Sequence, residues 1–159
     1  MPFEYPGQLY IPSDHIERPQ HVAIPLSGIN GGANIMCVYT GTAVGTLQGK
    51  SQAEWNRSKV RVTIPTGARK WTRRADRGSG WTQLMDSAAV ASPASVFNKD
   101  QAICAGWAVD AAWVYTAFQD GEFGNDPEYL VLDGLLAVRD TDGYLYRIAY
   151  QITVLGREM

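Results

Sequence analysis

The sequence predicts an all-β protein, mainly antiparallel, folded as a sandwich or barrel with an extended proline-rich N-terminal arm. Three observations predict it. Runs of alternating apolar and polar residues recur at 59–64 (KVRVTI), 129–139 (YLVLDGLLAVR) and 144–155 (YLYRIAYQITVL). Alternation with period two is the mark of a strand with one buried face. Five of the eight prolines fall within residues 1–34, a spacing no helix tolerates. No internal repeat and no parallel strand–helix–strand pattern interrupts the series, which favours antiparallel layers. The expected division is an arm over 1–34 and a single domain over 35–159.

A chain of 159 residues with 45% hydrophobic and 19% charged residues can bury a core and is not compositionally disordered. A net charge of −2 argues against a general polyanion binder. No run approaches the roughly 18 apolar residues of a membrane span, so no membrane partner is expected. The start, MPFEYPGQLYIP, lacks the basic end and apolar core of a signal peptide, which makes cytoplasmic synthesis the expectation. Cys37 and Cys104 form no CxxC and cannot make a zinc site by themselves. Two buried free thiols in strands are the simpler reading than a disulfide.

In the arm, Pro2, Pro6, Pro12, Pro19 and Pro25 alternate with Phe3, Tyr5, Leu9, Tyr10, Ile11 and Ile16. Proline with regularly placed aromatics describes an extended segment lying on a surface, either the chain's own or a neighbour's. Phe3, Tyr5 and Tyr10 are the expected arm contacts. Residues 35–47 read as β structure broken by Gly41 and Gly45, and 48–58 as a loop or one helical turn. Val60, Val62 and Ile64 share a face of the next strand. Pro65-Thr66-Gly67 turns the chain, and residues 69–74 return as that strand's partner. Residues 81–90 fit a short helix or a strand, ended by Ser92-Pro93.

Over 102–118, a strand puts Ile103, Trp107, Val109, Trp113 and Tyr115 on one face. A helix aligns Ile103, Trp107, Ala111, Val114 and Phe118. The Val, Trp, Tyr and Thr content favours the strand. The segment 129–155 reads as one long hairpin. A three-residue loop ending in Gly143 pairs Val138 with Tyr146, Leu136 with Ile148, Leu132 with Ile152 and Leu130 with Val154. It also sets Tyr150 over Gly134. Seven to nine strands result.

Chemical motifs are sparse. Residues 45–51 (GTLQGKS) resemble a phosphate loop but have three residues between the glycines where the motif needs four. Asp14-His15 sits in the arm with no nucleophile motif beside it. Asp110 and Asp133 interrupt apolar runs, and a solvent-facing position explains each better than a catalytic pair does. No metal site, no cofactor and no catalytic residue is expected.

Charge is segregated. Residues 50–77 hold Lys50, Arg57, Lys59, Arg61, Arg69, Lys70, Arg73, Arg74 and Arg77, and residues 100–142 hold nine carboxylates. This pattern has three readings: pairing within the chain, contact between subunits, or nucleic-acid contact with Trp55, Trp71 and Trp81 as stacking partners. Arg69, Lys70, Trp71, Arg73 and Arg74 are the expected contact residues for protein or polyanion. The leading functional expectation is a non-enzymatic assembly protein, a homo-oligomer or larger particle such as a virus or phage capsid, decoration or neck component. Runner-up readings are a small-molecule-binding β-barrel lined by Trp107, Trp113, Tyr146 and Tyr150, or an enzyme built on one, and a nucleic-acid-binding β module.

Overall fold

The computed structural model of the chain describes residues 7–27, 32–48, 55–98, 106–118, 128–139 and 143–159. Nine strands lie among them: β1 (Gly7–Ile11), β2 (Ile16–Pro25), β3 (Ile35–Gln48), β4 (Asn56–Thr63), β5 (Lys70–Thr72), β6 (Trp81–Asn98), β7 (Gly106–Phe118), β8 (Glu128–Arg139) and β9 (Gly143–Glu158). They form a four-stranded sheet, β1-β4-β8-β7, and a five-stranded sheet, β2-β3-β9-β6-β5. Pairing is antiparallel except for β1 with β4 and β5 with β6. The all-β expectation holds.

The core lies between the two sheets. Val60, Val62, Leu130, Leu132, Leu136 and Val138 come from one; Ile35, Cys37, Tyr39, Ile148, Ile152 and Val154 come from the other. Each set is the apolar half of an alternating strand, as the pattern requires. Trp71 is 1% exposed and donates its indole N–H to the Tyr39 hydroxyl at 2.9 Å, which satisfies the polar atoms of both large rings. Cys37 carries a buried free thiol, whereas Cys104 lies outside the described residues.

The expected hairpin over 129–155 is not formed. β8 pairs with β4 and β7, and β9 pairs with β3 and β6, so the two strands sit in different sheets. The inward faces expected of both strands are correct, since Leu130, Leu132, Leu136, Ile148, Ile152 and Val154 are all buried. Alternation fixes which face is buried. It does not distinguish strands sharing one sheet from strands facing each other across the core. The loop expected at 141–143 lies largely outside the described residues.

Other elements also differ from expectation. Residues 69–74 do not return beside β4; their strand, β5, runs parallel to the start of β6 in the other sheet. Residues 81–90 are strand, and β6 continues past Pro93, where the register with β9 shifts. A bulge there accommodates a residue that has no N–H to donate. β3 is one strand through Gly41 and Gly45, but its register with β9 shifts between Val44 and Leu47, beside Gly45.

Over 102–118 the strand reading is right from Gly106, but its single face is not. The β7–β8 register shifts between Val109 and Ala111, leaving Asp110 as an extra residue. Val109 packs on the core, whereas past the bulge the inward residues are Ala112, Val114 and Thr116. Trp113 and Tyr115 therefore point outward. Within the expected arm, residues 7–11 and 16–25 are strands of this chain's own sheets, joined by a 3-10 turn at Ser13–His15. Pro19 lies where the β2–β3 register shifts, beside Arg18 with its left-handed φ of 52°.

Candidate functional site

The outer face of the four-stranded sheet carries one row of side chains that crosses every strand. Tyr10 of β1 pairs with Arg61 of β4, Arg61 with Asp133 of β8, and Asp133 with Trp113 of β7. The row reads aromatic, cation, anion, aromatic. Tyr10 and Trp113 are 61% and 42% exposed at its two ends. The adjoining row contributes Gln8, Lys59 and Leu135, and together they line a groove of about 660 Å³.

The floor of the groove is a fixed polar network. Arg61 donates from Nε to Asp133 Oδ1 at 3.1 Å and from Nη2 to Oδ2 at 3.4 Å. Tyr115 donates its hydroxyl to Asp133 Oδ2 at 2.9 Å, and its ring lies 5.6 Å under the Arg61 guanidinium. Burial, with the hydrogen bond to Asp133, pushes the Tyr115 phenol up to about 12. It remains a donor at neutral pH. The same carboxylate holds Arg61 above the usual guanidinium range. At the rim, Tyr10 and Thr63 share a hydroxyl–hydroxyl bond of 3.0 Å. A fork-to-carboxylate pair presents both donors and acceptors in a fixed plane.

Tyr10 is the one expected arm contact within the described residues; Phe3 and Tyr5 lie outside them. The basic cluster is dispersed. Trp71 is a core side chain and leaves the expected contact set, because the sheet needs its ring inside. Arg69 donates to Thr82 Oγ1 at 3.0 Å and lies 3.7 Å from Glu158. Arg74 is held by Asp76. Lys70 and Arg77 flank the Trp81 ring at 5.6 and 4.5 Å. Arg73 is exposed, and its backbone N–H donates to Glu128. Arg69, Lys70 and Trp81 border a second, smaller depression of about 410 Å³.

The segregated charges meet within the chain. Arg57 approaches Asp110 at 3.9 Å, Arg61 binds Asp133 at 3.1 Å, and Arg77 binds Glu128 at 3.1 Å. Each joins the basic stretch to the acidic one. Asp110 and Asp133 are thus both taken by arginines. The cavity expected from Trp107, Trp113, Tyr146 and Tyr150 is not assembled, because Trp113 faces out and Tyr150 is buried between the sheets. The side chains of Trp107 and Tyr146 lie outside the described set. The groove escaped sequence reading because it depends on β1–β4 pairing and on the bulge at Asp110. The sequence singles out Tyr10 as an arm contact, Trp113 as a cavity side chain, Arg61 in the basic stretch and Asp133 as a charge inside an apolar run, but nothing in it joins them.

The opposite outer face, on the five-stranded sheet, has a different character. Its cross-strand rows are Ile24–Met36–Leu155–Asp86, Val22–Val38–Thr153–Ala88 and Gln20–Thr40–Gln151–Val90. Asp86 is the single charge in these rows. Val22, Ile24 and Val90 are 49%, 40% and 66% exposed, and all of β2 beyond Ile16 is exposed. The Glu17–Arg147 pair, at 3.1 Å, borders the patch.

Among the described residues, no group of three or more His, Cys, Asp or Glu side chains gathers to hold a metal, and no helix is long and apolar enough to cross a membrane. No protein-family model, curated protein or solved structure matches the chain.

Proposed function

We propose that the protein is a non-enzymatic assembly protein whose copies contact one another through the outer face of the five-stranded sheet. The observation that supports this reading is the nearly uncharged set of rows from Ile24 to Val90, with three large apolar side chains at least 40% exposed. Water-facing strands ordinarily carry charge, and on β2 the charges Glu17 and Arg18 are confined to its start, leaving Gln20 to Pro25 without a carboxylate, lysine or arginine. Exposed apolar side chains gathered on one nearly uncharged face are a usual mark of a contact surface.

From strand spacing, the patch measures about 19 Å by about 20 Å. That is below the ~800 Å² each partner contributes to a standard stable complex. A contact of this size suits an assembly in which many weak contacts act together. A virus or phage particle component, such as a capsid, decoration or neck protein, belongs to that class. The flanking Glu17–Arg147 pair and Asp86 would set orientation rather than strength.

The test is molar mass by size-exclusion chromatography with light scattering over a wide concentration range. The parent should show concentration-dependent oligomers or polymers, and Val22→Glu and Val90→Glu should be monomeric with unchanged circular dichroism. A parent that stays monomeric throughout, or variants that assemble as the parent does, would overturn the reading.

A further inference from the structure

We propose that the groove across Tyr10, Arg61, Asp133 and Trp113 binds a short, uncharged oligosaccharide. This site lies on the sheet opposite the assembly face, so neither proposal rests on the other. Its two aromatic ends are separated by three strand spacings, about 14 Å, which is longer than one sugar ring and suited to a short chain of them.

The chemistry of the floor selects among ligand classes. Arg61 commits its Nε–H and one Nη2–H to Asp133, leaving both Nη1 donors and the second Nη2 donor. Asp133 Oδ1 accepts from Arg61 and retains a second lone pair, whereas Oδ2 accepts from both Arg61 and Tyr115. Gln8 adds an amide that donates and accepts, and Lys59 adds an ammonium. A ligand must therefore supply donors and acceptors together, between exposed aromatic side chains at both ends.

An apolar ligand would desolvate the ion pair without replacing its water. A phosphate chain would meet the Asp133 carboxylate beside an arginine already neutralised by it. Lys59 is the one cation lining the groove with no ion-pair partner among the described residues. A peptide strand pairs with a sheet edge, not with a sheet face. A saccharide meets every requirement. Its hydroxyls donate and accept, it carries no charge to repel Asp133, and its C–H faces cover Tyr10 and Trp113. Two large aromatic rings left in water at the ends of a polar floor are the arrangement such a ligand covers.

The experiment screens the intact protein against cellotriose, maltotriose, xylotriose and chitotriose by saturation-transfer NMR and tryptophan fluorescence, with heparin as the charged comparison. At least one neutral trisaccharide should bind. Trp113→Ala and Arg61→Ala should each weaken it about tenfold or more. Trp113→Phe, which keeps a ring, should retain part of the affinity. Tyr129→Ala, on the same sheet but outside the groove, should leave binding unchanged. Thermal melts establish that each variant is folded. Binding of none of the four sugars would overturn the proposal. So would sugar binding indifferent to Trp113 and Arg61, or retention of heparin alone in a salt-dependent manner.

Discussion

Tyr150 on β9 lies directly opposite Gly41 on β3, and a Cβ added to Gly41 would come within 2.6 Å of the Tyr150 hydroxyl oxygen. The ring occupies the space the glycine leaves, so Gly41→Ala should destabilise the fold by about 1–3 kcal/mol through overpacking. The hydroxyl itself is buried and has no hydrogen-bond partner among the described residues. Tyr150→Phe should therefore leave stability unchanged or raise it by up to about 1 kcal/mol. Gly41→Ala should cost less when combined with Tyr150→Phe, because the nearest obstruction is gone. Denaturant unfolding of the two single variants and the double variant measures all of these effects. Equal cost of Gly41→Ala with and without the hydroxyl would show that the oxygen is not what crowds the site.

The alternation of β8 and β9 predicts a tyrosine covering a glycine, but over Gly134, whereas Tyr150 lies opposite Gly41. That error and the hairpin error are one: with β8 and β9 taken as neighbours, Tyr150 had to meet a β8 residue. Burial was legible because Leu132 and Ile152 obey period two whichever strand lies beside them. Partnership was not legible, because β8 and β9 satisfy the same pattern by facing each other across the core. The charge segregation was legible as segregation. Its resolution into Arg57–Asp110, Arg61–Asp133 and Arg77–Glu128 required the strand order.

Arg77 and Glu128 form the most deeply buried ion pair among the described residues, with side chains 7% and 0% exposed. Glu128 also accepts from the Arg73 backbone N–H at 3.1 Å. Removing one member of a buried pair strands the other, so Glu128→Ala should cost about 3–5 kcal/mol. Arg74→Ala, which breaks the exposed bond to Asp76, should leave the melting temperature within error of the parent. Equal melting temperatures for both variants would refute the distinction.

Tyr39, Tyr115 and Tyr150 each have their phenol pushed up to about 12, with burial the first cause in every case. A phenol of an unfolded chain ionises near 10. The folded state therefore resists ionisation that the unfolded state accepts. The stabilisation is fully present below pH about 10 and is lost as pH rises toward about 12. Absorbance titration of phenolate should show tyrosines that ionise only in this upper window, together with the loss of near-ultraviolet circular dichroism. All eight tyrosines titrating together near their ordinary value, with the fold intact, would contradict it.

Asp110 separates two halves of β7 that bury opposite parities of residue: Val109 before it, and Ala112, Val114 and Thr116 after it. Its 3.9 Å approach to Arg57 is a long ion pair between side chains 27% and 20% exposed; Asp110→Ala should cost about 1 kcal/mol. Deleting Asp110 removes the extra residue, so Val109 opposite Leu136 runs directly into Ala111 opposite Leu135, and Val109, Ala112, Val114 and Thr116 all stay inward on one unbroken alternation. The deletion should therefore fold cooperatively at a cost of no more than a few kcal/mol, and it should keep Trp113 in the groove with Arg61 and Asp133. Thermal unfolding of the two variants side by side decides the matter. A deletion that abolishes cooperative folding would mean that the bulge itself, and not only the register on either side of it, is needed for β7 to pair with β8.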